Sequence, residues 1–270
     1  MAAIPFSTLR QRVGRLMGAM YLATPSANFS TTVTDTDELV IFPNTFFDDW
    51  HGRFYKGSNR DTDFEVTASL KAAGKLTISP AAPFTIDAQD LIELHQDFTP
   101  AEINDAINLS ISMVDEEALI DIVDESIQVR STVFEYVLPL SIYSIDRIYQ
   151  EQSTEDRYSP SANIIDQRHW RILHGSTPRL WFNDSYVSLT ADRNLRIVGQ
   201  KSQPQLDLDD DLCSINQAFI VYQAKALLHE SKIRGEGSEF EGHSTQMRLA
   251  QAMAAMERER ISVPLRGLRV

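Results

Sequence analysis

Between Lys75 and Arg130 the chain has no lysine or arginine, while twelve aspartates and glutamates lie in the same stretch. A surface built from it would repel phosphate, which argues against a protein that holds nucleic acid by neutralising its backbone. Cysteine is nearly absent as well. The lone Cys213 excludes an internal disulfide framework and points to a reducing compartment. No run of eighteen apolar residues occurs, so no membrane-spanning helix is expected, and Arg10, Arg12 and Arg15 interrupt the first residues where a signal peptide would need an apolar stretch. Also missing are a nucleophile elbow, a phosphate-binding loop and a dinucleotide glycine fingerprint. His169 and His174 have no cysteine or carboxylate partners in zinc spacing, and Asp207 to Asp211 lacks the glycine and the terminal glutamate of a calcium loop. These absences predict no enzymatic activity, no cofactor and no metal.

What is present is a 270-residue chain, 43% hydrophobic and 23% charged, with net charge −13. That composition suits a soluble folded protein with a sizeable core. Leu9, Val13, Leu16, Met17 and Met20 recur at helical spacing behind Ser7, which predicts a first helix ended by Thr24-Pro25. The period then changes to two. Phe64, Val66, Ala68 and Leu70 alternate with polar residues, a turn follows at 71–74, and Leu76 and Ile78 resume the alternation, which predicts a hairpin. Apolar runs at 39–42, 53–55 and 91–94 complete a small all-β module.

Thr99-Pro100-Ala101-Glu102 has the form of a capping box, with proline at the first helical position and an apolar face of Ile103, Ala106, Ile107, Ile111 and Val114 behind it. Strands return in 119–198, at 133–138, 142–149, 170–173, 179–182 and 195–198, with turns that suggest a sandwich. Ser214 and Gln217 suggest a second capping box, with Asp209, Asp210 and Asp211 at the positive start of that helix. Gly235, Gly237 and Gly242 mark a connector before a last helix over 244–261. Trp50, Tyr55, Trp170, Trp181 and Tyr186 are candidate stacking residues, although strand aromatics more often fill cores. The tail carries Arg258, Arg260, Arg266 and Arg269 against Glu259 alone.

The expected fold is α+β. A helical bundle built from N-terminal, central and C-terminal helices (1–25, 99–118 and 205–261) carries a small β-barrel-like insertion (26–98) and a second β-sandwich-like segment (119–204), followed by a C-terminal arm (262–270).

Read in order, the first helix, "VTASLKAAGKLTISPAAP" (66–83), "FTPAEINDAIN" (98–108), "FEYVLPLSIYSIDRIY" (134–149), "LRIVGQKSQPQLDLDDD" (195–211) and the final helix pair resemble a head-to-tail connector, or adaptor, protein of tailed bacteriophages. The resemblance covers nearly the whole chain. It implies a structural virion protein of the neck, assembled in the host cytoplasm. The protein would form a homo-oligomeric ring of twelve beneath the portal protein, meet a tail or nozzle protein, and enclose double-stranded DNA without sequence-specific binding and without a membrane. The segment 29–97 departs from adaptors that are helical bundles alone. Under this reading Arg258, Arg260, Leu265, Arg266, Leu268, Arg269 and Val270 contact the portal or a neighbouring subunit. Glu102, Asp105, Asp115, Glu116 and Glu117 face the channel, where fixed negative charge repels phosphates within about 8 Å at physiological salt. A neck or tail-completion ring on the tail side is the nearest alternative. A β-sandwich carbohydrate-binding module is the alternative of another class, and a hydrolase with an unseen site is the third.

Overall fold

A computed structural model describes the chain except residues 1–2, 19, 27–29, 36, 140–141, 154–156, 159–163, 185–186, 188, 234–237, 262–267 and 270. The chain divides into two compact units, 1–114 with 204–261, and 115–203 with 262–270.

The first unit begins with β1 (Ile4–Pro5), α1 (Phe6–Met17), β2 (Met20–Ala23), β3 (Thr32–Thr34), β4 (His51–Lys56), β5 (Thr62–Leu70), β6 (Lys75–Ser79), β7 (Leu91–His95) and α2 (Pro100–Ser112). The second unit holds β8 (Ile120–Gln128), β9 (Glu135–Val137), β10 (Ser144–Gln150), β11 (Ile164–Ile165), β12 (Trp170–Leu173), β13 (Arg179–Phe182) and β14 (Asn194–Lys201). The chain then returns to the first unit with β15 (Leu212–Cys213), α3 (Gln217–Lys232) and α4 (Ser238–Arg258), and ends with β16 (Leu268–Arg269) in the second.

In the first unit six antiparallel strands in the order β2-β7-β4-β5-β6-β3 form a curled half-barrel sheet. Phe47, Trp50, Phe54, Phe64, Val66, Leu76, Ile92 and Leu94 pack together in one buried cluster with it. The expected hairpin is β5 and β6. Its alternation does not run through, because a register shift between Val66 and Ala68 turns Ser69 inward and leaves Leu70 51% exposed. Residues 39–41 form a short 3-10 turn where a strand was expected.

The α+β class holds, but the helical bundle does not: the first unit is a mixed assembly of four helices and the curled sheet. A bundle requires every helix to bury an apolar stripe against other helices. The buried face of α1 instead carries Arg10 and Gly14, which meet Glu93 and His95 of β7. A Cβ on Gly14 would lie 2.8 Å from the His95 ring, so glycine permits that close approach. Among the described side chains of α4 only alanines, Ala250 and Ala254, are buried, while Leu249 and Met256 remain exposed.

Helix ends differ in detail. α1 stops at Gly18, whose φ of 90° supplies the left-handed cap, well before Thr24-Pro25, and Met20 lies in a strand. α2 starts as expected: the Glu102 amide donates to Thr99 Oγ1 at 3.1 Å and the Thr99 amide to Glu102 Oε2 at 2.8 Å. α3 is not capped by Ser214. Cys213 pairs with Ile4 in β15 and keeps the chain extended, so the cap moves to Asn216, whose side chain accepts from the Ala218 amide at 3.0 Å. α4 begins at Ser238 and includes Gly242; Gly235 and Gly237 lie outside the described residues.

The second unit pairs β8, β14, β10 and β11 in one antiparallel sheet, with β16 also on β10, and β12, β13 and β9 in another. Both contribute to a core of Ile127, Tyr136, Ile145, Ile148, Trp170, Leu180, Phe182, Leu195 and Ile197. β8 ends its sheet. It was not singled out as a strand because Asp121, Asp124 and Glu125 weaken its apolar alternation.

Candidate functional site

The most connected group of charged side chains sits inside the first unit. Arg10 of α1 forms an ion pair with Glu93 of β7, places Nη2 2.7 Å from Asp209 Oδ1, and donates from Nη1 to Asn104 Oδ1 of α2 at 3.0 Å. Asp209 accepts from Arg53 Nε of β4 at 3.2 Å, and the Asp209 amide donates to Asp61 Oδ1 at 2.9 Å. Arg53 Nη1 reaches Asp63 at 2.7 Å, and Arg60 pairs with Asp210. Burial alone would raise the Glu93 carboxyl, but the Arg10 charge and the adjoining His95 hold it below its ordinary value. At Asp209 burial wins and pushes the carboxyl up against the pull of Arg10 and Arg53.

The side chains of Arg10, Glu93 and Asp209 have no solvent exposure. Closed to solvent, the group ties α1, the sheet and the 207–211 loop together. From the sequence, Asp209, Asp210 and Asp211 were expected only to face the positive start of a helix, and no partner was expected for Arg10. In the structure Asp209 pairs with arginines, and Asp211 accepts from the Asp207 and Leu208 amides at 2.7 and 2.8 Å. The available signal was spacing: Phe6, Leu9, Arg10 and Val13 share one helical face.

A second cluster lines a cavity of about 840 Å³ formed with Asp97, Phe98, His229, Lys232, Glu241 and His243. Nδ1 of His229 on α3 lies 2.9 Å from Nδ1 of His243 on α4, one nitrogen donating and the other accepting. Burial, then Lys225 and His243, bring the His229 ring down to about 4, so it is neutral near pH 7. Among the described residues no group of three or more His, Cys, Asp or Glu is placed to hold a metal ion.

The expected channel and contact residues fall in different settings. Glu102 is engaged in the cap of α2, while Asp105 is exposed on the outer side of the same helix. Asp115 and Glu116 are exposed in the turn that follows, and Glu117 is half-buried. Two acids of the cation-free stretch are not on the surface at all: Asp90 accepts from Asn59, and Glu93 pairs with Arg10. Arg258 ends α4, and Arg260 reaches Glu257 at 2.8 Å. Leu268 and Arg269 pair along the backbone with Ile145 and Ser144 of β10. Leu265, Arg266 and Val270 lie outside the described residues.

The candidate stacking aromatics fall in both units, Trp50 and Tyr55 in the first and Trp170 and Trp181 in the second. Trp50 and Trp170 are core residues, Trp181 lies under Arg171 at 4.5 Å, and Tyr186 is outside the described residues. His169 closes a 3-10 turn before β12, and His174 is exposed beyond it. No helix among the described residues is long and apolar enough to cross a membrane. No family model matches the chain, and no curated protein matches it.

Proposed function

We propose that this protein is a structural head-to-tail connector that assembles as a ring around double-stranded DNA, below a portal and above a tail component. The observation that carries the reading is the run without cations from 76 to 129, of which Asp97, Asp115 and Glu116 are exposed and form no ion pair among the described residues. Fixed, unneutralised carboxylates suit a wall past which DNA slides without adhering. The order of sequence phrases that resemble phage adaptors supports the same reading. So does the most connected charged cluster, which is closed to solvent and therefore suited to holding elements together.

In this reading the C-terminal residues from Arg258 onward meet the portal. The pairing of Leu268 and Arg269 with β10 shows that this segment can add to a sheet edge, a mode by which extended segments also bind partners. Negative-stain imaging of the purified protein, alone and mixed with portal rings, tests the proposal. Ring-shaped particles that join portal rings, and fail to join after deletion of 262–270, are expected. Protein that forms no ring in either mixture overturns it.

A further inference from the structure

α1 and α3 leave between them a groove of about 360 Å³, lined by Arg12, Arg15, Leu16, Val221 and Tyr222. Leu16 is 42% exposed, and among the described residues neither arginine makes an ion pair. In a chain of net charge −13, two unpaired arginines beside an apolar lining call for an acidic, partly apolar occupant. The outer stripe of α2 has that character. Asp105, Leu109 and Met113 follow one another at four-residue spacing on one face, and Leu109 is 50% and Met113 46% exposed.

The stripe cannot reach its own groove. Gln223 Nε2 of α3 donates to Met113 Sδ at 3.3 Å, and at about 100° per residue Gln223 projects from roughly the opposite side of α3 to Ala218, Val221 and Tyr222 in the groove.

We infer that the α2 stripe of one copy docks in the α1/α3 groove of the next, with Asp105 against Arg12 and Arg15, and Leu109 and Met113 on the apolar lining. The two patches differ and lie on opposite sides of α3, so the contact is head-to-tail and generates a ring or an open filament. This deepens the connector reading and rests on it for ring closure. It also assigns Asp105 to a subunit contact and not to the channel wall.

Charge exchange tests the inference. One variant carries Arg12→Glu with Arg15→Glu, the other Asp105→Arg; all three residues are exposed, so both proteins should fold as judged by circular dichroism. Light scattering should show each variant self-associating at least about tenfold more weakly than wild type, because like charges meet at the contact. Mixing the two should restore assembly, since acid then meets base at every alternating contact. Wild-type assembly that both variants retain, or a mixture that stays dissociated, overturns the inference while leaving a ring possible through other surfaces. Charge-dependent assembly into open filaments, with no closed ring, supports the contact and overturns the ring, whereas charge-dependent pairs that do not extend overturn the head-to-tail contact. Wild type that remains monomeric at millimolar concentration overturns both.

Discussion

Arg10 and Glu93 form an ion pair in which neither side chain has any exposure to solvent, 83 residues apart in sequence. Pairing of this kind contributes modestly in net terms, because both ions lose their hydration, but removing one partner leaves the other stranded. Arg10 also faces Asp209, so its loss would strand Glu93 and leave Asp209 with Arg53 alone.

Arg10→Ala should therefore destabilise the protein by about 3 to 5 kcal/mol, the range for breaking a buried ion pair. Urea denaturation followed by circular dichroism reads the change. A shift of the midpoint no larger than that of an ordinary surface substitution would show that water already reaches the carboxylates.

Thr99 and Glu102 bond reciprocally across the start of α2. Thr99→Ala should cost about 0.5 to 2 kcal/mol, and Thr99→Ser much less, because serine keeps the accepting hydroxyl. An equal loss in both variants would assign the effect to the threonine methyl group.

This box was legible in the sequence because its four residues are consecutive and each acts on a backbone amide next to it. The hairpin β5–β6 was legible for the same local reason. The bulge after Val66 was not, since Ala68 and Ser69 give no sign of which will face inward until β6 fixes the register. Nor was the role of Asp209, whose partners Arg10 and Arg53 lie 199 and 156 residues away in sequence. Of the surfaces now proposed to act, the acidic stretch was visible as composition. The groove arises only when α1 and α3 are placed side by side.

His229 gives stability a dependence on mild acid. Its ring is held at about 4, against 6.5 ordinarily, by burial and by Lys225 and His243, with Asp97 opposing and Lys232 and Glu241 along the same cavity. As pH falls through about 6.5 the unfolded chain gains a proton that the folded chain refuses until about 4. The stability contribution is therefore complete above that window and declines through it. Melting temperature should fall between pH 7 and pH 5, and His229→Gln should remove a measurable part of the slope. An unchanged slope would assign the dependence to other groups.

Binding to double-stranded DNA should be feeble at physiological salt, weaker than the micromolar end of ordinary non-specific affinities. Fluorescence anisotropy with a labelled duplex measures it. Micromolar or tighter binding that weakens steeply with salt would overturn the conduit reading and point to the terminal arginines as a DNA site.

β8 has nine residues and ends its sheet, with no strand on its outer side among the described residues. Crowded copies with a bare, uncharged edge of that length would add to one another and grow into insoluble ribbons. Asp121 and Asp124 along β8 make no ion pair among the described residues, while Glu125 is held by Arg196, so the two aspartates set carboxylate against carboxylate whenever two such edges approach. Negative charge on an open strand edge thus opposes edge-to-edge pairing between copies, a consequence separate from any role toward DNA.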